Sequence, residues 1–87
     1  MTLNFSNPSR SYDEAGSRVR FWGYDGALEV AFFLEVGAFK QISAGTSRSE
    51  GALLTAFDRN RGKILEVATK VYARARQSSY TLTASDF

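Results

Sequence analysis

The chain has 87 residues, 44% of them hydrophobic and 14% aromatic, carries a net charge of +2, and contains neither histidine nor cysteine. So apolar a chain is not a disordered tail, and the two missing residue types exclude disulfides, thiol nucleophiles, imidazole bases and the usual transition-metal sites. One small domain over residues 1–87 is expected, with no cofactor and a modest core that homodimerisation would help to cover.

Residues 2–5 place Leu3 and Phe5 on one side of a short extended segment, which Asn7-Pro8 interrupts because proline lacks a ladder donor; this predicts an edge strand. Asp13-Glu14-Ala15-Gly16 reads as a turn. Two runs rich in aromatic and β-branched residues follow, 17–24 and 27–34, with Asp25-Gly26 between them as a type I′ hairpin turn. A two-residue loop at 25–26 sets Phe21 opposite Val30 and Val19 opposite Phe32 on a core face that Leu28 extends. The other face then carries Arg18, Arg20, Trp22 and Tyr24, opposite Phe33, Ala31, Glu29 and Ala27.

Val36, Phe39 and Ile42 recur at intervals of three and predict a short helix. Ser47 with Glu50 three residues later reads as a capping box that opens a second, long helix. Leu53, Phe57, Ile64, Ala68, Val71 and Ala75 form its apolar stripe, Glu66 and Lys70 are spaced to pair, and Gly62 marks a bend or close contact. Ser78-Ser79 ends the helix, residues 80–83 alternate as a C-terminal strand, and residues 84–87 form a hook. The expected fold is α+β: a small antiparallel sheet of N-terminal strand, β-hairpin and C-terminal strand, with one short and one long helix packed on one face.

Three stretches carry a family resemblance: Val19-Arg20-Phe21 leading into Glu29-Val30-Ala31-Phe32; Leu53-Leu54-Thr55-Ala56-Phe57-Asp58-Arg59-Asn60-Arg61; and Tyr80-Thr81-Leu82-Thr83-Ala84-Ser85-Asp86-Phe87. With Tyr12-Asp13 they are spread over nearly the whole chain. The sequence resembles the small bacterial family catalogued as domain of unknown function 1488. The resemblance implies a small α+β domain, no assigned activity and no catalytic residues to carry over.

Charge is unevenly placed. Residues 59–76 hold Arg59, Arg61, Lys63, Lys70, Arg74 and Arg76 against Glu66, an excess of five, while the rest of the chain is net negative by three. Two binding surfaces suggest themselves. Arg18, Arg20, Trp22 and Tyr24 alternate on one strand as rings and guanidinium groups do on single-stranded nucleic-acid platforms, although cross-strand packing, with Trp22 covered by arginine stems or a second subunit, explains the same pattern. Arg59, Lys63, Lys70 and Arg74 share one side of the long helix, as a phosphate-binding stripe or a solvated face would. Asp58-Arg59-Asn60-Arg61 reads as local pairing. The carboxylates Asp13, Glu14, Asp25 and Glu29 match no metal-ligand or acid/base spacing.

No apolar run approaches the roughly 20 residues that cross a bilayer, and the N-terminus lacks a signal-peptide core, so a cytoplasmic protein with no membrane partner is expected. The preferred reading is a non-enzymatic protein-interaction or regulatory module, self-association included, acting through the Trp22 face. The alternative is a transcription-related nucleic-acid-binding protein using that face and the basic helix face.

Overall fold

Two long antiparallel strands, β3 (Arg18–Asp25) and β4 (Leu28–Glu35), organise the computed structural model, which describes residues 3–43, 45, 47, 49–74, 77 and 79–87. Their alternation is strict. Val19, Phe21 and Gly23 on β3 and Val30, Phe32 and Leu34 on β4 are buried, while their neighbours on both strands turn to the other side.

The hairpin register differs from the one expected. Phe21 lies opposite Phe32, Val19 opposite Leu34 and Asp25 opposite Leu28, so the loop is Gly26-Ala27 and Asp25 still belongs to the strand. The cause is φ. Gly26 sits at +63°, whereas Ala27 is not in the left-handed region, the pattern of a turn with glycine at its first central position rather than of a type I′ turn. A slip of two residues preserves parity, so every side chain keeps its expected face. Leu28, expected to lengthen the core row, ends at the hairpin tip and is 59% exposed.

Three shorter strands complete a mixed sheet. β1 (Leu3–Asn4) and β2 (Arg10–Asp13) both pair with the free edge of β3, with residues 5–9 looping out between them around Pro8. β2 is an addition to the expected set. Its sequence Arg-Ser-Tyr-Asp is too short and polar to show alternation. β5 (Ser79–Leu82) joins β4 in parallel, a correction to the all-antiparallel sheet, while the α+β class stands. Direction is set by the connection: the helical segment crosses the sheet and returns the chain to the end where β4 began.

The expected short helix is a 3-10 turn, Val36–Ala38, running into α1 (Phe39–Ile42). The expected long helix is two, α2 (Glu50–Arg59) and α3 (Arg61–Arg74). The cap of α2 is Ser49, whose hydroxyl accepts from the Ala52 N–H at 3.3 Å; Ser47 stands two residues earlier and its hydroxyl accepts from the Ser49 N–H. The break falls at Asn60, not at Gly62. The Asn60 amide donates to the Ala56 carbonyl at 2.8 Å, and its backbone carbonyl accepts from Ile64 to start α3. Both helices lie on the buried face of β3 and β4. Leu53, Ala56 and Phe57 from α2 and Ile64, Ala68 and Tyr72 from α3 enter the core, so Tyr72 takes the place in the stripe that Val71 was expected to fill. Val71 is half-buried, and Ala75 and Ser78 lie outside the described residues.

The core is largely aromatic. Phe21 and Phe32 stack at 5.3 Å, Phe57 meets Phe21 at 5.1 Å, and Tyr80 stacks on Phe32 at 5.3 Å. Tyr72 meets Tyr80 edge-on at 5.6 Å and donates its hydroxyl to the Asp25 carboxylate at 2.7 Å, tying α3 to the hairpin end. Phe5 crosses over Gly23 to reach Phe21 and Phe32.

A Cβ at Gly23 would come within 2.8 Å of the Phe5 ring. Gly23→Ala should therefore displace Phe5 and lower stability by about 1–3 kcal/mol, read as a lower urea midpoint at unchanged slope. In a Phe5→Leu background the same substitution should cost less.

Candidate interaction face

The helices cover one side of the sheet and leave the other open. Strand alternation assigns that open side Ser11 and Asp13 from β2, Arg18, Arg20, Trp22 and Tyr24 from β3, Glu29, Ala31, Phe33 and Glu35 from β4, and Ser79 and Thr81 from β5. All four residues expected on β3 are on it together. Trp22, Tyr24 and Arg18 are half-buried and Arg20 is exposed.

Guanidinium groups lie over the rings. The Arg18 guanidinium sits 3.8 Å from the Phe33 ring centre, and that of Arg20 lies 5.0 Å from Trp22 and 5.8 Å from Phe33. Phe33 is thus the ring at the centre of the face, a role the emphasis on β3 missed; alternation along β4 was the signal for it. Trp22 faces Ala31 across the ladder, Arg20 faces Phe33, Arg18 faces Glu35 and Tyr24 faces Glu29. The Tyr24 hydroxyl donates to Glu29 at 3.3 Å, and the Arg18 Nε donates to Asp13 at 2.9 Å. Two cations therefore share the face with three carboxylates, Asp13, Glu29 and Glu35.

The basic helix residues do not form one stripe. Because the helix breaks at Asn60, Arg59 lines a cleft of about 300 Å³ beside Ser43, Gly51 and Thr55, whereas Lys63, Lys70 and Arg74 line another of about 460 Å³ beside the C-terminal residues. The second cleft also holds Glu66 and Asp86, and Lys70 pairs with Glu66 at 3.3 Å. Since the helices pack on the sheet side opposite Trp22, the cations of α3 point away from the Arg/aromatic face. The two candidate surfaces lie on opposite sides of the molecule.

Three carboxylates are engaged in holding the fold. Asp58 accepts two bonds from Arg10, at 3.0 and 2.8 Å, and a longer one from Arg61, clamping β2 to α2; Arg61 also donates to the Pro8 carbonyl at 2.9 Å. The Arg10 guanidinium holds the Asp58 carboxyl below its ordinary range, with Arg61 adding to the effect. Arg18, and then the Gly16 N–H, do the same for Asp13. Asp25 is occupied by Tyr72. No three carboxylates among the described residues gather as a metal site, and no described helix is long and apolar enough to cross a membrane.

A family model described as "Protein of unknown function (DUF1488)" matches residues 3–83. The chain is similar to a crystal structure of a protein of unknown function from that family in Shewanella loihica PV-4, with 16% identity, a TM-score of 0.82 and 94% of each chain covered. At that identity the likeness is one of fold. No curated protein matches the chain.

A carboxyl held below its unfolded-state pKa adds stability above that value and loses it as pH falls through the folded-state pKa. Acid should therefore weaken the fold below about pH 4, partly through Asp58. Asp58→Asn should lower the thermal midpoint at pH 7 and flatten its decline between about pH 4 and 2, followed by circular dichroism.

Proposed function

The chain belongs to the DUF1488 family of proteins of unknown function, and we propose that it is a non-catalytic protein-interaction module that docks another protein on the open face of its sheet. The observation that carries this reading is the composition of that face. Rings and guanidinium groups are packed at its centre with carboxylates around them, and no helix among the described residues covers it. Tryptophan, tyrosine and arginine are the residues on which interfaces concentrate their energy, because each offers a large contact area together with polar donors.

Two further observations support an interaction module over an enzyme. The chain has no histidine or cysteine, and Asp13, Asp25 and Asp58 are committed to hydrogen bonds within the fold. The nucleic-acid reading draws less support. A polyanion is held by a surplus of cations, and the open face has more carboxylates than guanidinium groups, while the cations of α3 lie on the other side.

In a comparative pull-down, the double variant Arg20→Ala/Trp22→Ala should lose the proteins retained by the wild type, with affinity for any one of them falling at least about 30-fold. Lys63→Glu/Lys70→Glu should retain them. The reverse pattern, or binding of labelled RNA or DNA that weakens steeply with salt, would remove the proposal.

A further inference from the structure

The open face is complementary to itself, and we infer that it pairs with a second copy of this chain in one particular orientation. This inference rests on the proposed docking role of the face and names its occupant. The complementarity lies in the ladder between β3 and β4. Along β3 the outward residues read Tyr24, Trp22, Arg20, Arg18; along β4, in the same rows, they read Glu29, Ala31, Phe33, Glu35. Each row joins unlike partners: a phenol with a carboxylate, the largest side chain with the smallest, a cation with a ring, and a cation with a carboxylate.

A face-to-face pair related by a two-fold axis in the interface plane can have that axis along the strands or across them. An axis along the strands, between β3 and β4, keeps every row and exchanges the two strands. Trp22 then lies over the partner subunit's Ala31, Arg20 over the partner subunit's Phe33, Arg18 over the partner subunit's Glu35, and Tyr24 over the partner subunit's Glu29. Every row that is complementary within one chain becomes complementary between two. An axis across the strands exchanges the rows instead, placing Glu29 over the partner subunit's Glu35 and Arg18 over the partner subunit's Tyr24. Like charges disfavour that arrangement. Either axis keeps the strands of the two sheets aligned, one of the two stable ways for sheets to stack, so the rows decide between them.

Charge on the face fits this occupant. Among the described residues Glu35 meets no cation, and this pairing sets it against the partner subunit's Arg18, whose own-chain partner is Asp13, while Arg20, which meets rings but no carboxylate, lies over the partner subunit's Phe33. β3 and β4 are about 27 Å long, β1 and β2 together line about 20 Å of one edge and β5 about 14 Å of the other, which at about 4.8 Å per strand gives about 400 Å² per copy. The total of about 800 Å² falls short of the roughly 1,000 Å² of stable specific interfaces, so the pair should be weak and reversible.

Sedimentation of the wild type from about 1 μM to about 1 mM should show a monomer–dimer equilibrium. Trp22→Ala and Ala31→Trp should each shift it to monomer. The swap Trp22→Ala/Ala31→Trp, which conserves volume within the ladder row, should restore dimer. Glu35→Arg, at an exposed position, should weaken the dimer about 10-fold by facing the partner subunit's Arg18, with an unchanged circular dichroism spectrum. A dimer indifferent to Trp22 and Glu35, or a folded swap variant that stays monomeric, would overturn the orientation. A wild type monomeric at every concentration would overturn self-pairing while leaving the docking of a different protein intact, because the pull-down comparison reads that separately.

Discussion

The alternation of β3 and β4 is the constraint on which the rest of the molecule depends. Each strand has two faces, and the chain supplies helical cover for one of them. Val19, Phe21, Val30, Phe32 and Leu34 are fully buried under α2 and α3, so a slip of one residue would turn this whole row to solvent and bring Arg18, Arg20 and Trp22 into the core. That penalty fixes the register parity, and the parity fixes the open face. What lies on the uncovered side is thus a consequence of what the core excludes.

Peripheral elements are held by a few specific contacts against this frame. The N-terminal segment is fastened by Phe5 resting over Gly23 and by the Arg10–Asp58 pair between β2 and α2. The hairpin end is fastened by the bond from Tyr72 to Asp25. Arg10–Asp58 is partly exposed, and solvent moderates what such a pair contributes; its bidentate geometry mainly fixes where β2 sits.

Much of this was legible in the sequence because it depends on short-range periodicity. The two faces of the hairpin, the apolar stripe at Leu53, Phe57, Ile64 and Ala68, and the Arg/aromatic row all follow from spacings of two or of three and four. Features that depend on one residue's backbone angles or on long-range direction were not. Asp25-Gly26 has the composition of a type I′ turn, yet the loop sits one residue later because glycine takes the first central position and Ala27 avoids positive φ. The helix looks continuous through Asp58-Arg59-Asn60-Arg61, and only the Asn60 amide folding back on Ala56 reveals a break. The parallel attachment of β5 has no local signature, since alternation does not encode direction. On the open face, the β3 row follows from alternation alone, whereas Phe33 and Glu35 gain their significance only once the observed register sets them opposite Arg20 and Arg18.

The functional account rests on one surface and on the largest side chain it carries, Trp22. Trp22 is the sole tryptophan of the chain, which makes it a reporter of that surface without labelling. The decisive measurement is acrylamide quenching of its fluorescence over a dilution series and upon addition of a binding protein. The account predicts ready quenching of the dilute, free chain, with a loss of quenching and a blue-shifted emission as the face becomes occupied. Association that leaves the quenching of Trp22 unchanged would place the interface elsewhere and contradict the account.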